Sequence, residues 1–270
     1  MGNVETIDGF KCFAPSLAKQ NDGFSSKSFS RLFELEQSSF WFRSRNNLIT
    51  YLFQKYINGR TAEVCEIGCG TGYVLKGLAT LKNLTLSGSE IHIEGLKYAK
   101  SRLPQVDFFQ ADATELPFVE RYDAIGAFDV LEHISEDKKA IASIYQAIKP
   151  GGYFFITVPQ YNWMWSLEDD IACHKRRYAR KELSEKLLKS GFKVEFISSF
   201  VFMLFPFMAI QRLLGKRNRN KGITEAVEGF VIPRLVNFFF YRLTQFDLLL
   251  IKIGISLPFG GSLVCVAKRN

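Results

Sequence analysis

Ala62-Glu63-Val64-Cys65-Glu66-Ile67-Gly68-Cys69-Gly70-Thr71-Gly72 is the stretch whose reading decides the fold. Ala62 to Ile67 is a short apolar run that reads as a buried strand. Behind the glycines, Tyr73-Val74-Leu75-Lys76-Gly77-Leu78 repeats apolar residues at helical spacing. The glycines therefore sit where a strand turns into a helix. Glycine is needed there because the turn is tight and a ligand must approach bare backbone. Amides exposed at the helix start then favour a negatively charged ligand group.

A dinucleotide fingerprint would read Gly-x-Gly-x-x-Gly. Gly68 and Gly70 fit it, but the next glycine is Gly72, one place early, and Tyr73 fills the expected slot. Glu66 closes the strand just before the loop. A carboxylate there repels a pyrophosphate and suits a ligand carrying an ammonium or a sulfonium. Glu90 ends the next strand-like run, Leu84 to Glu90. An acid at that spacing can accept hydrogen bonds from both ribose hydroxyls. Together these features favour S-adenosylmethionine over a nicotinamide dinucleotide, with a plain strand-turn-helix that binds nothing as the bland alternative.

On these residues the chain resembles the class I S-adenosylmethionine-dependent methyltransferases, of the ubiquinone-pathway-like kind. The resemblance runs from about Ala62 to Ser198 and resumes at Ser262. Glu66, Gly68, Cys69 and Gly70 fall in what looks like the family's first motif, and Glu90, followed by Ile91, in the place of its ribose acid. Gln110-Ala111-Asp112-Ala113 looks like the adenine-contacting loop. Tyr122 to Asp129, with Phe128 near its end, looks like the fourth-strand motif, and Lys149-Pro150-Gly151-Gly152 like the turn before the fifth strand. The resemblance implies that Asp112, Ala113, Ile91 and Phe128 join the glycine loop in holding the cofactor. It is specific for cofactor and fold and weak for the methyl acceptor.

The rest of the chain alternates in the same way. Strands are expected near 62–67, 84–90, 106–110, 122–128, 152–158, 193–198 and 262–268, with amphipathic helices between them. This predicts an α/β fold: a doubly wound, Rossmann-like, seven-stranded sheet with ligands at the carboxyl ends of the strands. Residues 1 to about 27 read as poorly ordered or lid-like, and helices are expected from Ser28. The segments are then an N-terminal lid over 1–60, a methyltransferase domain over 61–198 and 262–270, and an apolar helical insertion over 199–261. Trp41, Arg43 and Arg45 are expected at the substrate entrance, against simple packing under a solvated arginine face.

The insertion separates two strands that the family joins as a hairpin. Phe200 to Leu214 is nearly all apolar, Lys216-Arg217-Asn218-Arg219-Asn220-Lys221 follows, and a second greasy stretch runs from Phe230 to Ile255. Charged and polar residues interrupt both stretches, so a pair of interfacial helices is expected rather than a spanning one. The formal net charge of +8 points to an anionic partner, either an acidic membrane or nucleic acid. Nucleic acid is disfavoured, because the basic residues are not interleaved with aromatics in a recognisable RNA module. A self-packed subdomain or a homodimer interface is the competing reading. The five cysteines include no Cys-x-x-Cys pair, which argues against a zinc knuckle or a disulfide framework. The N-terminus is polar, and a cytoplasmic protein, peripheral at the membrane, is expected.

Methyl transfer to oxygen needs an acceptor held in line and a group to take its proton. Three histidines exist. His133 lies in Asp129-Val130-Leu131-Glu132-His133, at the ligand edge of the fourth strand. This run is similar to the Glu-x-x-Glu-His motif of metal-assisted O-methyltransferases, with Asp129 in the first slot. Glu132 would orient the ring or bind a cation; a divalent ion is therefore considered, but no metal ligand is assigned. His174 lies in a stretch after the fifth strand, where family loops shape the acceptor pocket, followed by Arg176, Arg177 and Tyr178, which would grip a phosphate or carboxylate. His92 is expected to flank the adenine or face solvent. The catalytic candidates are His133, His174 and Glu132. The expected activity is methylation of a hydroxyl on a small, lipid-like or lipid-linked acceptor; the alternatives are an RNA methyltransferase and a non-catalytic cofactor-binding scaffold.

Overall fold

In the computed structural model, residues 4–18, 26–215 and 232–270 are described. The basic run from Lys216 to Lys221 lies outside them. Among the described residues nine strands form one sheet: β1 (Glu5–Ile7), β2 (Phe10–Cys12), β3 (Ala62–Ile67), β4 (Leu84–Glu90), β5 (Asp107–Gln110), β6 (Tyr122–Phe128), β7 (Ile148–Pro159), β8 (Phe192–Phe200) and β9 (Ser262–Arg269). Their order is β1-β2-β5-β4-β3-β6-β7-β9-β8. β5, β4, β3, β6 and β7 run parallel, and β9 lies antiparallel between β7 and β8. The order reverses between β3 and β6, so the carboxyl ends of these two strands flank the crevice where such sheets bind ligands.

Seven strands were expected from the alternation of strand and helix, and the sheet has nine. The two extra strands lie in the segment expected to be poorly ordered. Asp8 and Gly9 both take positive φ, at 49° and 84°, and turn β1 back on β2. Asp-Gly is the residue pair that such a two-residue turn demands, so a local signal was present. β2 then pairs with β5, and Phe10 and Cys12 bury their side chains against Leu75, Leu96 and Phe108.

Among the described residues the helices are α1 (Pro15–Ala18), α2 (Ser26–Leu35), α3 (Phe40–Ile57), α4 (Tyr73–Leu78), α5 (Ile93–Arg102), α6 (Asp137–Ala147), α7 (Leu167–Ile171), α8 (Arg180–Lys189), α9 (Phe205–Gly215) and α10 (Arg234–Lys252). α3 lays Leu48, Ile49, Leu52 and Phe53 onto one face of the sheet, where Phe53 stacks on Phe155 with ring centroids 3.9 Å apart. Burial of such side chains stabilises by roughly 1.5–3 kcal/mol each. α10 packs on the outside of α3: the Ser44 and Thr244 hydroxyls meet at 2.5 Å, and Asn237 accepts the Phe40 amide at 2.7 Å. Leu248 and Ile251 of α10 share the same apolar core as α3 and the sheet. The opposite face is covered by α6 and α8, through residues such as Ile141, Ile144, Leu183 and Leu187.

Candidate active site

The loop after β3 turns on three glycines, with φ of 66° at Gly68, 51° at Gly70 and 74° at Gly72. A Cβ on Gly68 would lie 2.5 Å from the Val130 side chain, so bulk is excluded there. A Cβ on Gly72 would meet the Ala99 backbone at 3.2 Å; this glycine lets α4 approach α5. At Gly70 nothing lies within 4 Å of the Cβ position, which leaves the peptide open.

That open side faces a cleft of about 650 Å³, a size suited to a nucleoside-containing ligand. Glu66, Gly68, Cys69, Gly70, Glu90 and Ile91 line one part of it. Asp112, Ala113 and Phe128 line it as well, so every residue expected to touch the cofactor opens on one cavity. His92 lines it too.

Glu66 is 3% exposed, and its Oε2 has no hydrogen-bond partner among the described residues. Burial pushes its pKa well above the usual carboxylate range, against the pull of the Arg45 charge. A buried acid with an empty acceptor is a group that an ammonium, donating its N–H, would satisfy. Glu90 is already engaged. It accepts the Gly70 amide at 3.0 Å, and those of Ile91 and His92 at 2.9 and 3.2 Å. Burial raises its pKa, and the His92 charge and these amides oppose the rise. A carboxylate offers about four lone-pair positions. Accepting both ribose hydroxyls therefore requires an amide to yield.

α2 closes the cleft from above with Phe29, Leu32 and the following Glu36. Glu36 accepts the Thr71 hydroxyl at 2.5 Å and pairs with Arg102 at 2.8 Å, all three groups being buried. Arg102 also lies over the Phe33 ring at 4.4 Å. No sequence pattern links Glu36 to Arg102. Their meeting depends on α2 lying across α5.

From α3, only one of the three entrance candidates arrives. Arg45 lines the cleft and bonds Asp129, whose other oxygen accepts the Thr157 hydroxyl at 3.0 Å. Arg43 instead stacks over Tyr241 of α10 at 4.1 Å, and Trp41 packs toward Phe200. Arg43, two positions from Arg45, points to a different face of the helix, whereas Trp41, four positions away on the same side, packs toward Phe200 one turn earlier.

His133 stands on the cleft wall, while Glu132 and His174 stand behind it. The His133 and His174 rings meet edge to face with centroids 4.7 Å apart. Ligand atoms of Glu132, His133 and His174 all lie within 4.8 Å of one another. Burial, then the neighbouring His174 charge, push the His133 pKa down to about 4. Glu132 is fully buried, and neither carboxylate oxygen has a hydrogen-bond partner among the described residues. Burial and the Asp129 charge hold its pKa well above the usual range. Two imidazoles and an unpartnered carboxylate form a donor set that could hold a divalent cation.

His174 Nδ1 lies 2.8 Å from Asp169 Oδ1, which fixes the ring. Asp169 also takes Arg177 through two bonds, at 2.8 and 2.9 Å. Burial alone would raise its pKa, but the bonds from His174 and Arg177 outweigh burial and hold it low. Arg177 is thus consumed inside the protein. Arg176 pairs with Asp137 at 2.9 Å, and the buried Tyr178 hydroxyl donates to Asp137 at 2.7 Å. The expected anion grip by Arg176, Arg177 and Tyr178 is absent, because buried carboxylates claim these groups. Lys175 remains at the cleft rim, exposed.

A family model described as "Methyltransferase domain" matches residues 38–196. A probable S-adenosylmethionine-dependent methyltransferase of Mycolicibacterium smegmatis is 27% identical over 165 residues, covering 60% of this chain and 62% of the relative. The ubiquinone biosynthesis O-methyltransferase of Escherichia coli is 28% identical over 110 residues, covering 38% and 45%. The chain thus spans less than two thirds of the length of these relatives. Among solved structures, phosphoethanolamine N-methyltransferase 2 of Haemonchus contortus, in complex with S-adenosylmethionine, superposes with a TM-score of 0.61 at 17% identity. That match covers 95% of this chain and 60% of the other, and shows the fold alone. With the glycine elbow, the acids at the ends of β3 and β4 and the matched domain model, the chain belongs to the class I S-adenosylmethionine-dependent methyltransferase family.

Proposed function

We propose that this protein transfers the methyl group of S-adenosylmethionine to a hydroxyl of a small or lipid-like acceptor presented at a membrane surface. The observation that carries the proposal is the placement of the His133 imidazole on the wall of the cleft that Glu66 and Glu90 also line; burial lowers its pKa and favours the neutral, proton-accepting form. In this reading Glu66 accepts the cofactor's ammonium, Glu90 its ribose, and Asp112 and Ala113 flank the adenine, with Phe128 at the floor. His133 takes the acceptor's proton as the oxygen attacks the sulfonium methyl, and S-adenosylhomocysteine departs. His174, fixed by Asp169, orients His133. The relative named for ubiquinone biosynthesis supports an oxygen acceptor on a greasy molecule.

A divalent cation, where bound, would be held by Glu132, His133 and His174 and would lower the pKa of an acceptor hydroxyl. His133 would then serve as a ligand rather than as the base. Dialysis against a chelator separates the two roles: activity restored only by added Mg²⁺ or Zn²⁺ marks the ligand role.

The test is incubation of the purified full chain with methyl-labelled cofactor and a total lipid and quinone extract. Label is expected in the organic phase as an alkali-stable ether, and to be lost in His133→Ala. Label appearing only on RNA, or on nitrogen, would overturn the proposal.

A further inference from the structure

Among the described residues, the two helices between β8 and β9 reverse the usual distribution of side chains. α10 turns Thr244, Asp247, Leu248 and Ile251 inward. A surface helix ordinarily presents polar residues on its other side. Here the other side carries Leu235, Phe239, Arg242, Phe246, Leu249 and Ile253, spaced at three or four residues along one stripe. The five apolar members are between 46% and 84% exposed. α9 does the same with Phe207, Ile210 and Leu214, each more than half exposed. Phe207 meets Phe240 with ring centroids 6.1 Å apart, so the two helices adjoin. Contiguous exposure on this scale marks a docking surface.

Charge decides what docks. α9 and α10 contain one acid, Asp247, which is buried and accepts the amides of Phe202 and Met203 at 2.7 and 3.2 Å. The other charges on these helices are cations: Arg212, held by Glu168, and the exposed Arg234, Arg242 and Lys252. A second copy of this face would bring Arg234, Arg242 and Lys252 against their own kind. A sheet of anionic headgroups over an apolar interior meets both features. Among the described residues no helix is long and apolar enough to cross a membrane, which suits helices that lie on it.

We propose that the outer face of α9 and α10 docks on a bilayer containing anionic phospholipid. The inference rests on the proposed lipid-like acceptor for its purpose, not for its evidence. α3 joins the two sites: its Ser44 faces α10, and the next residue, Arg45, faces the cleft.

The experiment is flotation of the full chain with vesicles of phosphatidylcholine alone and of phosphatidylcholine with phosphatidylglycerol, at low and high salt. Co-flotation with the mixed vesicles, weakened by salt and weak on phosphatidylcholine alone, is expected. The double variant Phe239→Ser/Phe246→Ser should weaken it by at least about tenfold, and Arg242→Glu by roughly tenfold. Calorimetric binding of S-adenosylhomocysteine, unchanged in both variants, shows that they are folded. No flotation, equal flotation on both vesicles, or flotation unaffected by the variants would overturn the proposal. So would a stable dimer in solution that the same variants dissociate. No methyl acceptor enters this assay, so failure of the proposed methyl transfer leaves its result intact.

Discussion

Thr71 donates its hydroxyl hydrogen to Glu36 across 2.5 Å, joining the glycine loop to the end of the helix that closes the cleft. The same Glu36 oxygen takes Arg102 at 2.8 Å, so one carboxylate holds both the loop and α5. Glu36→Ala would leave Arg102 buried without its charge partner. The expected cost is about 3–5 kcal/mol, with a weaker cofactor complex because α2 loses its anchor. Urea denaturation and calorimetric titration with S-adenosylhomocysteine measure the two effects. Unchanged values for both would show that α2 is held by its apolar residues alone.

Glu66 has a raised pKa in the free protein because it is buried. A cationic ligand favours the ionised form, so binding releases a proton wherever the free protein still holds Glu66 protonated. Affinity for S-adenosylmethionine is therefore expected to rise with pH until Glu66 is ionised in the free protein as well. Calorimetry in two buffers of different ionisation enthalpy reads the released proton directly. Glu66→Gln should abolish that proton and weaken binding by about tenfold or more, consistent with a lost charge-assisted hydrogen bond.

His133 has a folded pKa of about 4, below the ordinary value of 6.5. The unfolded chain therefore binds this proton first as pH falls. The stabilisation attached to neutral His133 is fully present above pH 6.5 and is lost as pH falls toward about 4. Its slope is at most about 1.4 kcal/mol per pH unit. Glu66 and Glu132, whose pKa values are raised, act in the opposite sense. Comparing the wild type with His133→Asn at several pH values isolates the histidine. An imidazole proton resonance from His133 that titrates near pH 6.5 in the folded protein would contradict the burial argument.

Asp169 serves two partners, His174 and Arg177, and is 1% exposed. Asp169→Ala should cost about 3–5 kcal/mol by stranding buried Arg177. Asp169→Asn keeps a carbonyl oxygen for one partner and should cost less. If His174 orients His133, the asparagine variant should also lower kcat more than it raises KM for the acceptor. A loss confined to stability would assign Asp169 a purely structural role.

Local spacing made much of the fold legible. The apolar run from Ala62 to Ile67, the clustered glycines and the acids Glu66 and Glu90 specify backbone conformations that depend only on near neighbours, and the cleft is lined where they predict. The Asp8-Gly9 turn is an equally local signal, and it adds the two strands that the alternation of strand and helix does not predict. The Arg176, Arg177 and Tyr178 grip failed for a different reason. Those side chains are chemically suited to an anion, and the nearest anions are the protein's own Asp137 and Asp169.

By itself the sequence determined the parallel sheet, the glycine elbow and the class of ligand it receives, because strand and helix periods and positive-φ glycines are written in adjacent residues. Tertiary structure alone decided that Arg45 enters the cleft while Arg43 turns to Tyr241, that Glu36 finds Arg102, and that His174 meets His133 edge to face. Each of these depends on how elements far apart in the chain rotate and cross once the core is packed. No spacing along the chain encodes that rotation.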